Sequence, residues 1–229
     1  MLTLGLDTST LVAGLALVED DKLITKYYYR IKTSLSQELL PSIDLFLRES
    51  RLNLHDIDSI AVTSGPGSFT GLRIGIATAK SMSFALRIPV FGVPTLEAMV
   101  YPLPDLPYPI CPILDAKKQE VYAAVFKGGQ GAKEKIISDM VVNPKELCRL
   151  IRNKTVFLGS GLEVYQELIE ALLGELAIPW SMEPDLIAEG VALLGSQWFN
   201  DGFSSQLISL KPNYIRRSQA EIAWEERFK

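Results

Sequence analysis

Two related α/β lobes, each a sheet covered by helices, are the fold class that the sequence predicts. Three observations carry it: stretches of strand character alternate with stretches of helical spacing, the pattern of the first hundred residues returns in the second, and a proline cluster separates the two copies. The chain has 229 residues, 48% of them hydrophobic, which suffices for two cores of ~100 residues each without staples.

Taken in order, Leu2, Leu4 and Leu6 alternate with Thr3 and Gly5, and LVAGLALVEDDKLITKYYYR adds two β-rich runs joined by a polar EDDK turn, so a three-stranded meander opens the chain. In SQELLPSIDLFLRES, Leu39, Ile43 and Phe46 recur at helical spacing, with Pro41 expected to kink the helix or mark its first turn. SIAVTSG reads as a buried strand, followed by a helix from Leu72 to about Arg87, with Ser68 or Thr70 as its N-cap. PVFGV is a further strand, and TLEAM starts a short helix with Thr95 as N-cap.

Pro102, Pro104, Pro107, Pro109 and Pro112 supply five of the thirteen prolines and mark the lobe boundary. Beyond it, PILDAKKQEVYAAVFKGGQ lines up with LGLDTSTLVAGLALVEDDK, and TVFLGSGLE with SIAVTSGPG. A duplicated βββαβα unit is the economical explanation, and the architecture is then that of the actin, hexokinase and Hsp70 ATPases, the ribonuclease H-like fold. The expected division is a first lobe at 1–104, joined by the C-terminal segment from about 216 to 229, and a second, diverged lobe at 105–215.

Composition narrows function by exclusion. A formal net charge of −4 leaves no overall basic field for autonomous binding to a phosphate backbone, so contact with RNA is expected only through a partner. Cys111 and Cys148 form no CxxC and read as buried thiols. No apolar run approaches a membrane span and the N-terminus lacks a basic leader, so the cytoplasm is the expected compartment. The single histidine, His55, lies in a polar turn, which removes HExxH and HxxxH metal sites and Ser-His-Asp or Cys-His hydrolases; no metal and no catalytic residue is expected. YYYR at 27–30 suggests base stacking, but on a strand alternate rings face opposite ways and local packing is the favoured reading.

The segment GPGSFTGLRIG at 65–75 resembles a phosphate loop and fits none of the templates. GxxxxGK[ST] fails at Thr70 and at the missing Lys-Ser or Lys-Thr, and GxGxxG fails because its third glycine arrives one residue late, at Gly71. In the helix that follows, Gly71, Gly75, Ala79 and Ser83 recur every fourth residue as one stripe of small side chains. Pattern alone leaves two readings: the stripe packs on the chain's own sheet or its Pro41 helix, or it receives a protein partner. DTST at 7–10 stands where an actin-like ATPase keeps its first phosphate turn, yet its counterpart DAKKQ at 115–119 has neither glycine nor hydroxyl. With Gly159 and Gly161 as a purine-side turn, the expectation is a vestigial nucleotide cleft at Asp7, Thr8, Ser9, Gly159 and Gly161.

The segments LGLDTST, VTSGPGSFTGLRIGIATAK, PVFGVPTLEAM, DAKKQEVYAA and PNYIRR resemble, in order and spacing, the bacterial TsaB family, also called YeaZ. The resemblance spans essentially the whole chain. It implies a non-catalytic subunit in formation of N6-threonylcarbamoyladenosine at position 37 of tRNAs that read codons beginning with A. In that pathway TsaC makes threonylcarbamoyl-AMP, TsaE is an ATPase, and the catalytic paralogue TsaD, whose metal is held by an HxxxH motif, transfers the group. The implied partners are TsaD, TsaE within a larger complex, tRNA through that complex, and a second copy of the chain when isolated; the implied cofactor is none bound catalytically, with ATP or ADP only in the complex. The family's dimer surface carries over to Leu39, Ile43 and Phe46 of one helix and to Phe69, Gly71, Arg73, Gly75, Ala79 and Ser83 of the next. Where many relatives have a histidine at the start of the first of these helices, this chain has Leu35. The alternatives are an actin-like-fold ATPase or small-molecule kinase built on Asp7, Thr8 and Ser9, and a metallopeptidase-like protein.

Overall fold

A computed structural model describes residues 1–32, 34–129, 134–181, 183 and 186–216. The meander is β1 (Leu2–Asp7), β2 (Val12–Glu19) and β3 (Lys22–Arg30), followed by α1 (Leu35–Glu49), β4 (Ser59–Gly65), α2 (Phe69–Leu86) and β5 (Val90–Pro94). The same run then repeats as β6 (Ile110–Asp115), β7 (Val121–Phe126), β8 (Lys135–Val142), α4 (Pro144–Leu150), β9 (Thr155–Leu158), α5 (Ser160–Leu173) and β10 (Ala177–Pro179). Between the repeats lies α3 (Thr95–Val100), and after the second comes α6 (Leu186–Asn200). Sheet order confirms the duplication: β3-β2-β1-β4-β5 in one sheet and β8-β7-β6-β9-β10 in the other. In each, the first three strands are antiparallel and the last two join in parallel, as right-handed crossovers through a helix require.

Strand alternation decides which residues meet which helices. Leu2, Leu4, Leu6, Leu15 and Leu17 face α1 and α2, where Leu39, Ile43, Phe46, Ile76 and Ala79 complete the first core. The opposite face offers small side chains, and α6 lies close upon it. A Cβ on Gly5 would stand 2.7 Å from the Ala188 carbonyl oxygen and 2.7 Å from the Ala192 Cβ, a fit only glycine permits. In the second lobe, Cys111, Ile113, Val121, Val125 and Phe157 pack under Leu147, Leu162 and Ile169 of α4 and α5. The inner faces of both sheets meet α3 and α6 in a central layer containing Val93, Leu96, Met99, Leu114, Phe126, Leu158, Ile187 and Val191. The result is five layers: α1/α2, sheet, α3/α6, sheet, α4/α5.

The expected lobe division needs a correction. Residues 186–215, assigned to the second lobe, return to the first: α6 packs on β1, β2 and β4, with Ala188 and Ala192 against Gly5 and with Gly195 against Ala61. The chain then covers the free edge of β5, where Gln206 N donates to Val90 O at 2.9 Å and Gly92 N to Gln206 Oε1 at 2.8 Å. The segment expected to make that return, 216–229, lies outside the described residues except for Arg216. Smaller differences are at helix starts. α2 begins at Phe69 with Ser68 as N-cap, its hydroxyl accepting from Gly71 N, and Thr95 is the first residue of α3 after Pro94. Pro41 lies inside α1 on its exposed side, where solvent can serve the carbonyl its ring leaves unbonded.

Local packing accounts for several other residues. Tyr29 stacks on Tyr27 at 5.9 Å, and Tyr27 on Phe46 at 6.3 Å, so two of the three YYYR rings pack locally while Tyr28 is half exposed. Leu35 is buried in the first core. Both cysteines are buried and free, and burial pushes the Cys111 thiol up. No helix among the described residues is long and apolar enough to cross a membrane.

Candidate functional site

In each sheet the chain leaves the first strand toward one side and returns on the other, so the switch point where α/β sheets bind ligands lies beyond the carboxyl ends of β1 and β4, and of β6 and β9. Two equivalent turns stand there. Asp7 Oδ1 accepts from Ser9 N at 2.9 Å, and Asp115 Oδ1 from Lys117 N at 2.9 Å. Thr8 N donates to Thr63 Oγ1 on β4, and Asp115 N to Ser160 Oγ on α5, both at 3.3 Å. The duplication therefore extends to the hydrogen bond that each aspartate accepts from the residue two positions on.

The two turns differ in exposure. Asp7, Thr8 and Ser9 are 1%, 0% and 3% exposed, because the GPGSFTG loop and α2 close over them. Ser68 N donates to Ser9 O at 2.7 Å, and a Cβ on Gly67 would come within 2.7 Å of the Ser9 Cβ. Gly71 abuts the Thr8 carbonyl oxygen and Gly75 the Thr8 hydroxyl, which has no hydrogen-bond partner. Burial holds the Asp7 carboxyl above its ordinary range against the opposing hydrogen bonds from Ser9 and Thr63. In the second turn Lys117, Lys118 and Gln119 are exposed, and Lys117 Nζ pairs with Asp115 Oδ2 at 2.6 Å.

The vestigial cleft expected at Asp7, Thr8, Ser9, Gly159 and Gly161 is closed at all five positions. The first three lie beneath the chain's own loop. Gly159, at φ +101°, and Gly161 let α5 approach β6, since a Cβ at either would sit 2.5 Å and 3.1 Å from the Ile113 carbonyl oxygen.

The expected docking residues are corrected in the same way. Leu39, Ile43 and Phe46 are core residues, and Gly71, Gly75, Ala79 and Ser83 turn inward; Ser83 Oγ donates to Ile88 O at 2.6 Å. Of the two readings of the small-residue stripe, the structure selects packing on the chain's own β1 turn. Phe69 and Arg73 do reach the surface, where both engage Tyr214: its ring stacks on Phe69 at 4.8 Å, Arg73 lies 3.8 Å over the Phe69 centroid, and Arg73 Nε donates to Tyr214 Oη at 2.8 Å.

The outward faces of α1 and α2 carry different residues. Leu40, Leu45 and Phe84 are 55%, 52% and 76% exposed, and Ala77 and Ser81 are exposed on α2. Sequence reasoning passed over these because they fall off the apolar stripe. Helical spacing could have found them, as Ala77, Ser81 and Phe84 follow Arg73 at steps of four, four and three. It also gave no sign that Arg216 binds the second lobe.

Fold and turns together define a two-lobed protein of the actin and hexokinase ATPase architecture whose first phosphate-type turn is sealed by its own helix. The fold is shared with an activator of 2-hydroxyisocaproyl-CoA dehydratase from Clostridium difficile, at a TM-score of 0.54 and 10% identity over 88% of this chain and 97% of that one. Residues 31–224 match the family model described as TsaD, tRNA N6-adenosine threonylcarbamoyltransferase. The chain is 29% identical to the tRNA threonylcarbamoyladenosine biosynthesis protein TsaB of Bacillus subtilis over 99% of both chains, and 31% identical to that of Haemophilus influenzae over 97% of this chain and 95% of the relative. YeaZ from Pseudomonas aeruginosa superposes with a TM-score of 0.75 at 27% identity, over 93% of this chain and 99% of that one. The chain belongs to the TsaB (YeaZ) family, within the wider family that includes TsaD.

Proposed function

We propose that this chain is the non-catalytic platform subunit of the machinery that forms N6-threonylcarbamoyladenosine at position 37 of tRNAs reading codons beginning with A. It holds the catalytic TsaD subunit against the outer face of α1 and α2, with TsaE joining the larger complex and tRNA reached only through it. The observation that carries this reading is the contrast between a sealed Asp7–Ser9 turn and apolar side chains left exposed on α1 and α2 at Leu40, Leu45, Ala77 and Phe84. A nucleotide at the turn would require the 65–68 loop to move, which supports the reading that ATP or ADP is met only in the complex. The same exposed side chains on a second copy make a homodimer of the isolated chain, in the cytoplasm of the cell that makes it.

The test is formation of the modified nucleoside in a reconstituted mixture of TsaC, TsaD, TsaE and tRNA, with and without this chain. Ala77→Arg should leave the chain folded while abolishing capture of TsaD and the modification. Full modification without the chain, or with Ala77→Arg, would sink the platform reading. The ATPase or kinase alternative draws on Asp7, Thr8 and Ser9 and meets the difficulty that all three are buried.

A further inference from the structure

We propose that residues 213–216 form a strap that locks the two lobes together across the carboxyl ends of their strands. At its start the strap is fixed to the first lobe. Asn213 N donates to Ser64 O at 2.6 Å, and its carbonyl oxygen lies so near Gly65 that a Cβ there would stand 2.5 Å from it. Tyr214 continues the attachment through Phe69 and Arg73. Two residues later the chain is fixed to the second lobe: Arg216 Nη1 donates to Ala116 O at 2.9 Å, and Nη2 pairs with Glu120 Oε2 at 2.8 Å.

Three residue steps span at most ~11 Å, so a short connection holds the end of β4 near the turn after β6. The guanidinium is only 23% exposed and its carboxylate partner 35%, which keeps the pair better shielded than a surface bridge. The lobes also meet through the layer of α3 and α6, a largely apolar and non-directional contact to which the Lys135–Glu97 pair at 2.9 Å adds one directional tie between α3 and β8. Rotation that parted the two strand-end turns would have to break the Arg216 bonds first. The strap is thus a latch on the interlobe angle. This inference stands independently of the platform reading, because it concerns contacts within the chain and needs no partner.

Amide hydrogen exchange of the full chain, read at 64–72 and at 115–121, tests it. Arg216→Ala removes a charge-assisted hydrogen bond and an ion pair, and exchange should rise about tenfold or more at both segments. The rise at 64–72 is decisive, since Arg216 touches nothing there and loss of a local contact alone would change only 115–121. Glu120→Gln, a milder change, should raise exchange at the same two segments by a smaller factor, and it keeps the test available if Arg216→Ala does not fold. Exchange at 64–72 unchanged in the folded variants would overturn the strap.

Discussion

Gly71→Ala is the substitution that best separates the two readings of the small-residue stripe, because they predict opposite signs. If the stripe faced solvent or a partner, alanine would improve the helix by about 1 kcal/mol and raise Tm by a few degrees. In the structure the new methyl would fall well inside 3.0 Å of the Thr8 carbonyl oxygen and 3.2 Å from the Ser68 Oγ that caps α2. Thr8 O is backbone in a fully buried turn, so no rotamer change relieves the overlap, and either the turn or the whole of α2 must shift. Overpacking of that kind costs about 3 kcal/mol, the upper part of the usual range; set against the propensity gain of about 1, a net loss of about 2 kcal/mol remains. For a chain of this size that is a fall in Tm of about 4–8 °C. Calorimetry or thermal denaturation followed by circular dichroism reads it directly, and a variant more stable than the parent would refute the packing of α2 on the β1 turn.

Other perturbations probe neighbouring claims. Leu39→Ala should cost about 2–5 kcal/mol in urea unfolding and Leu40→Ala no more than about 0.5, because the first side chain is core and the second half-exposed; equal effects would contradict the orientation of α1. Burial raises the Asp7 carboxyl, so the native state keeps that proton to higher pH than the unfolded chain does. The stability tied to it is full below the ordinary value of 3.8 and lost as pH rises through the raised one. Asp7→Asn should therefore raise Tm at pH 7 and lose that advantage toward pH 3.8; a gain that did not depend on pH would show another cause. Lys26 Nζ pairs with Glu189 Oε2 at 2.9 Å, both side chains mostly buried, and this pair ties β3 to α6. Glu189→Gln should cost about 1–3 kcal/mol with little dependence on salt, whereas strong salt dependence would mark it as an exposed pair.

What the sequence determined by itself was the order of elements and their duplication. Alternation in LTLGL, helical spacing at Leu39, Ile43 and Phe46, and matching Asp turns at 7 and 115 are local or periodic properties, and the two sheets repeat one strand order, with β10 the strand that the sequence did not announce. Periodicity also showed that Gly71, Gly75, Ala79 and Ser83 share one face of a helix. It could not say what that face meets, since small residues permit close approach to any neighbour, and only the packed turn at Thr8 decides it. The same holds for α6, whose Ala188, Ala192 and Gly195 fit Gly5 and Ala61 more than 125 residues earlier, and for Arg216, whose partners Ala116 and Glu120 lie about 100 positions away. Local propensity dictates elements because it acts within a few residues. Which surfaces close on one another, and so which turn is sealed and which face stays open, is settled by contacts between distant residues that form only in the folded chain.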